Sequence, residues 1–162
     1  MLLTENDEYW MQIAFKEAEK AAQNNEVPVG AVLVSKGEIL AQACNSPIAK
    51  NDPTAHAEIL VIQKACQSIN NYRLPEDSTL YVTLEPCTMC VGALIHARVK
   101  NVIFATPEPK AGALISSRKL LDEGYFNHKF TFSHGCLQEQ CATQLSQFFK
   151  ERRAQKKAEK AK

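Results

Sequence analysis

His56, Glu58, Cys87 and Cys90 are the residues whose types and spacing could do chemistry together. They fall in two short motifs, His56-Ala57-Glu58 and Pro86-Cys87-Thr88-Met89-Cys90. Each follows a loop or strand and opens a predicted helix. Cys87 and Cys90 stand three apart, which puts both sulfurs on one helix face, as a shared tetrahedral ion requires. A helix amino terminus presents free amides and partial positive charge, and both favour the thiolates that zinc needs. His56 offers a neutral imidazole as the third ligand. Three protein ligands leave a fourth position for water, the pattern of a catalytic rather than a structural zinc, and the metal acidifies that water. Glu58 lies two residues beyond His56 and points to another side of its helix. A carboxylate there is placed to move protons rather than to complete the metal cage.

A lone Cys-x-x-Cys also fits half of a structural zinc site, or a redox pair. A structural site would want a fourth ligand, and Cys44, Cys66, His96, His134 and Cys136 are formally available. The His-Ala-Glu motif upstream, with both motifs at helix starts, favours the catalytic reading. The remaining cysteines, Cys44, Cys66, Cys136 and Cys141, read as small buried hydrophobes in a reduced chain.

Around these motifs the chain alternates helices and strands. Apolar spacing predicts a helix over 7–23 ending at Asn24-Asn25, then strands over 29–34 and 39–43 joined by a tight turn at Lys36-Gly37. Residues 46–53 read as a loop. Asp52-Pro53 reads as a helix start, with Asp as cap and Pro at the first position, and that helix runs to about Ser68. A strand is predicted over 79–84, a helix from Pro86 to about Ala97 and a strand over 102–104. Residues 106–117 read as irregular, 118–123 as a short helix, 130–132 as a last strand and 137–158 as a terminal amphipathic helix. This order predicts an α/β layered fold with a sheet of about five strands, some of them parallel.

The chain of 162 residues, 45% hydrophobic and 23% charged, suits one soluble globular domain over 1–162 with a basic terminal helix and tail at 138–162. No apolar stretch approaches bilayer-spanning length, and the first ten residues lack a basic start and apolar run. Both point to a cytoplasmic chain that does not engage a membrane. The net charge of +1 hides an asymmetry: residues 150–162 hold seven Lys/Arg against Glu151 and Glu159, a net +5 that leaves −4 on the rest. A basic tail on an acidic body suits a polyanion such as nucleic acid; a solvated helix end is the plainer alternative.

His-x-Glu followed by Pro-Cys-x-x-Cys is the signature of zinc-dependent nucleobase deaminases. The resemblance extends to the bacterial tRNA-specific adenosine deaminases over about residues 6–155, in Glu26-Val27-Pro28-Val29-Gly30-Ala31-Val32-Leu33-Val34, Asp52-Pro53-Thr54-Ala55-His56-Ala57-Glu58, Asn71-Tyr72-Arg73-Leu74, Thr79 to Cys87, and the Phe148-Phe149 plus Arg152-Arg153 terminus. The resemblance implies a cytidine-deaminase-like three-layer α/β/α fold with a central mixed sheet of about five strands, one Zn2+ per subunit, a homodimer, and conversion of adenosine to inosine at the wobble position of a tRNA anticodon loop. It implies that Asn45 hydrogen-bonds the base edge, although Asn45 also fits a turn residue closing the second strand. Val29, Ala57, Leu84, Glu85 and Pro86 are implied in the base pocket; Val29 and Leu84 by themselves read as plain core. Lys110 and Asn127 are implied to hold the anticodon loop, Phe148 to pack near flipped-out nucleotides, and Arg152 and Arg153 to meet phosphates. A single-stranded loop suits this chemistry, because a stacked base is out of reach. Where the family has an Arg-Asp-Ala-Lys-like stretch, this chain reads Pro107-Glu108-Pro109-Lys110. Glu108 keeps the acceptor for a ribose hydroxyl on a longer arm, between prolines that stiffen the loop. Ala113-Leu114-Ile115-Ser116 is bulkier than the small-residue pattern of the family. Two alternatives stay open: a deaminase of free bases or nucleosides, which has no need of a basic terminus, and a non-catalytic RNA-binding protein with structural zinc.

Overall fold

A computed structural model describes residues 2–162. Helix α1 spans Glu5–Gln23 and starts two residues before the predicted point. The reason is a capping box: Thr4 accepts from the Asp7 amide, and the Asp7 carboxylate accepts from the Thr4 amide at 2.8 Å. Strands β1 (Gly30–Ser35) and β2 (Glu38–Cys44) form the expected hairpin. Lys36 and Gly37 turn it with φ of 53° and 72°, matching the right-handed twist of the strands. Asp77 accepts from the Ser35 hydroxyl and the Lys36 amide, so a residue from beyond the next helix locks the turn.

The stretch predicted as a loop after β2 contains a one-turn helix, α2, at Pro47–Lys50. The buried carboxylate of Glu26 accepts from the Ile48 and Ala49 amides and serves as its amino-terminal anchor. Helix α3 spans Ala57–Ile69, so the predicted start at Asp52-Pro53 is corrected. Asp52 does not cap α3; its carboxylate accepts from the Thr54 amide and hydroxyl in a local turn, and His56 holds the cap position. Strand β3 (Thr79–Leu84) leads to α4 (Thr88–Ala97), then β4 (Asn101–Thr106), a short 3-10 turn at Leu120–Asp122, β5 (Thr131–His134) and α5 (Gln138–Lys160).

The strand order is β2-β1-β3-β4-β5. The β1–β2 and β1–β3 pairs are antiparallel, and β3–β4 and β4–β5 are parallel, so the sheet is mixed as predicted. Alternation along the strands makes three layers. Ala31, Leu33, Leu80, Val82, Val102 and Phe104 face α3 and α4, where Val61, Ala65, Val91 and Leu94 are buried. Val32, Val34, Tyr81, Ile103 and Ala105 face the other way and meet Met11 and Ala14 of α1 and Cys141 of α5. Gly30 makes close packing of α1 possible: a Cβ there would lie 2.0 Å from the Ala14 carbonyl oxygen. Neither core cluster contains His56, Cys87 or Cys90.

Candidate active site

The two chemistry-bearing motifs meet where α3 and α4 begin, beyond the carboxyl ends of the parallel strands β3 and β4. Open α/β sheets place their ligand crevices at that end. His56 and Cys87 are the cap residues of α3 and α4, with extended backbone at φ −71°, ψ 152° and φ −78°, ψ 175°. Neither side chain caps its own helix. An extended residue at the cap turns its side chain off the helix axis, and here both turn toward a common point. Cys90 sits in the first turn of α4 and is fully buried.

His56 Nδ1 lies 3.6 Å from Cys87 Sγ and 3.5 Å from Cys90 Sγ. A tetrahedral zinc with bonds of ~2.05 Å to nitrogen and ~2.3 Å to sulfur sets nitrogen and sulfur about 3.6 Å apart. The three donor atoms lie within 4.8 Å of one another, and among the described residues no further His, Cys, Asp or Glu joins them. Cys44, Cys66, His96, His134 and Cys136 therefore do not supply a fourth ligand, which favours an open zinc site over a closed one.

The electrostatics agree. The Cys90 thiol donates to Cys87 and, against the effect of burial and with help from His56, holds the Cys87 thiol down to about 4. The bond to Cys87, with burial and the nearby Glu58, pushes Cys90 up. His56 is raised by its bond to Cys87, partly offset by burial. Burial pushes the Glu58 carboxyl up to about 7; the Cys87 sulfur adds to that, and its own backbone amide, His56 and Cys90 oppose it. Two sulfurs and a buried carboxyl cannot all be ionised without a cation among them, and a divalent ion on the His-Cys-Cys donor set meets that requirement.

The site opens into a cavity of about 500 Å³, enough for one nucleoside. Val29, Asn45, His56, Glu58, Leu84, Glu85, Cys87 and Glu108 line it, all singled out in the sequence. The Asn45 backbone amide donates to the Val29 carbonyl at 3.0 Å, closing β2, and the residue borders the cavity. Ala57 and Pro86 do not line the cavity; both are buried beneath it, and the Pro86 carbonyl accepts from the Ala113 amide. The Glu108 carboxylate accepts from the Lys110 and Ala111 amides, so it caps its own loop.

The remaining sequence-predicted residues lie elsewhere. Lys110 is exposed, and Asn127 lines a separate groove with His96 and Arg98. Phe148 faces α1 beside Phe15 and Ala22 rather than this cavity, with the Arg152 guanidinium 5.4 Å from its ring centre. Arg153 is on the exposed face of α5. Phe149 instead borders the cavity, with Ala142, Leu145 and Ser146 from the same helix face. The 142-145-146-149 spacing groups these four on one helix face, because consecutive residues on a helix point about 100° apart, but it does not say which face meets the cavity. Val27, Thr106, Pro107, Pro109 and Ala111 also line the cavity; in the sequence the two prolines read only as stiffening a loop, and none of the five as lining a pocket. A larger groove of about 850 Å³ between α1 and α5 carries Glu19, Glu139 and Glu151, the wrong charge for a polyanion.

Comparison with known proteins agrees with this geometry. Residues 4–106, which include both motifs, match the cytidine and deoxycytidylate deaminase zinc-binding region. The tRNA-specific adenosine deaminase of Bacillus subtilis (strain 168) is 49% identical over 152 residues, covering 94% of each chain. That of Haemophilus influenzae is 46% identical over 159 residues, covering 98% of this chain and 91% of the other. A structure solved in work on A-to-I editing by tRNA:A34 deaminases at the wobble position of transfer RNA superposes with a TM-score of 0.82 at 39% identity, covering 85% of this chain and 99% of that one. With its zinc donor set at tetrahedral spacing and relatives matched along almost its whole length, the chain belongs to the zinc-dependent tRNA-specific adenosine deaminase family.

Proposed function

We propose that the protein hydrolyses the exocyclic amine of adenosine in a tRNA anticodon loop, leaving inosine and releasing ammonia. The observation that carries the chemistry is the group of three donor atoms at zinc spacing beside a buried carboxyl, all opening on one nucleoside-sized cavity. His56, Cys87 and Cys90 would hold the zinc, which when bound would supply the acidification of a water. Glu58 would accept a proton from the water as its oxygen bonds to the reacting carbon and pass it to the adjacent ring nitrogen; it would then carry the new hydroxyl's proton to the amine as the C–N bond breaks and ammonia leaves. Burial supports this role by keeping its carboxyl close to neutrality in proton affinity. Val29, Leu84 and Phe149 hold the faces of the base, and Asn45 reads its edge. The cavity takes the base only after it leaves the stack, which suits an unpaired loop.

The relatives' substrate and the basic end of α5 favour RNA over a free base. Residues 150–162 are almost entirely exposed, so trimming them leaves the core intact. The test is to incubate the protein with an anticodon stem-loop carrying a wobble adenosine and to follow inosine. The full chain should form inosine, and the trimmed chain should require much higher RNA concentration with a shallower salt dependence, about one unit of slope per lost phosphate contact. Equal activity of both forms on free adenosine or guanine, with none on the stem-loop, refutes the RNA reading.

The protein is further read as a cytoplasmic homodimer. Large apolar side chains left exposed, Tyr72 at 76% and Tyr125 at 69%, support a second copy. Among the described residues no helix is long and apolar enough to cross a membrane. Sedimentation equilibrium at micromolar concentration should give twice the 18.0 kDa chain mass. A single-chain mass there would exclude the dimer.

A further inference from the structure

Glu85 stands between the end of β3 and the ligand Cys87, and its side chain is only 3% exposed. A buried carboxylate needs donors, and this one has five. Oε1 accepts from the Glu108 amide at 3.1 Å and from the Ser116 hydroxyl. Oε2 accepts from the amides of Leu114, Ile115 and Ser116 at 3.0, 2.9 and 3.1 Å. An ionised carboxylate has about four lone-pair sites, so these donors saturate it. Although the residue borders the cavity, its oxygens have no capacity left to accept from a base.

The same connection is fastened by the backbone. The Glu85 amide donates to the Thr106 carbonyl, the Ala113 amide donates to the Pro86 carbonyl, and Cys87 and Gly112 pair in an isolated bridge. Gly112 comes so close that a Cβ on it would lie 2.3 Å from the Glu85 carboxyl carbon, so only glycine lets the chain fold over the carboxylate. The amides of Glu108, Leu114, Ile115 and Ser116 in this 106–116 segment turn to the Glu85 carboxylate. The same segment lines the cavity with Thr106, Pro107, Glu108, Pro109 and Ala111.

We propose that Glu85 is a positioning residue: its saturated carboxylate holds the 106–116 segment as a fixed cavity wall and ties that wall to the turn carrying Cys87. It sets where substrate sits relative to the metal and touches neither. The claim about substrate rests on the function proposed above; the claim about the wall does not.

Glu85→Gln separates the two. Glutamine has nearly the same shape but keeps one acceptor oxygen and turns an NH2 toward amide donors. Hydrogen exchange of the protein without RNA should show faster exchange at Glu108, Leu114, Ile115 and Ser116, by about tenfold or more. Zinc should stay at one per chain. On the stem-loop, KM should rise roughly tenfold with a smaller change in kcat. Unchanged exchange at these four amides overturns the proposal whatever the substrate is. Loss of zinc, or a fall in kcat alone, overturns it by making Glu85 a metal-holding or catalytic group. If Glu85→Gln does not fold, Ser116→Ala removes one donor and should give the same pattern about two- to threefold in size; no change in exchange or KM there also overturns it.

Discussion

Replacing Glu58 by alanine leaves one zinc per chain and lowers ammonia release from a wobble-adenosine stem-loop by about 10²–10⁴-fold. The range is that of a lost general acid-base, and the geometry explains why no neighbour substitutes. Glu58 is 3% exposed and lies on the cavity wall next to the donor set. Of the other titratable residues on that wall, His56 and Cys87 would be taken up in holding zinc, Glu85 is saturated by five donors, and Glu108 caps its own loop. Glu58→Gln, which keeps the volume of the side chain, should lose activity to a similar extent. That result separates proton transfer from a packing defect. RNA affinity should be unchanged in both variants. A variant that keeps zinc and most of its activity removes Glu58 from the mechanism. Wild-type protein that binds the stem-loop but releases no ammonia leaves the non-catalytic RNA-binding reading standing.

How much of this was legible in the sequence depends on how local each cause is. The zinc donors were legible because helix starts are local: spacing within one turn fixes Cys87 against Cys90, and a cap residue turns outward whatever surrounds it. The layers were legible because alternation in 31–34, 80–82 and 102–105 states which side chain faces which side. The start of α3 was misread because Asp52 had two competing uses, a helix cap or a turn with Thr54, and sequence gives both equal support. Phe148 and Phe149 could not be assigned without packing. Cys141 anchors α5 on the sheet, and that contact decides which of two adjacent rings reaches the cavity. The role of Glu85 was out of reach, since its donors come from 23 to 31 residues away in a segment without regular structure.

Cys90→Ala should abolish stable zinc binding and with it all deamination. Cys90 is fully buried, so no side chain or solvent can take its place, and two remaining ligands do not make a tetrahedral site. Metal affinity should fall by more than about 10²-fold, since even groups that only support ligands cost 10–100-fold. The fold should survive. The two core clusters close around the sheet without His56, Cys87 or Cys90, unlike small zinc domains that unfold without metal. In wild-type protein, added zinc should raise Tm, because an ion that binds only the native state stabilises it by mass action. In the variant, added zinc should leave Tm unchanged while circular dichroism still reports a folded α/β protein. Retained stoichiometric zinc in Cys90→Ala would mean that the ion sits elsewhere, and the proposed chemistry at the α3–α4 junction would fall with it. Complete unfolding of the metal-free protein would instead show that the fold depends on the ion, against the expectation from two core clusters that close without its ligands.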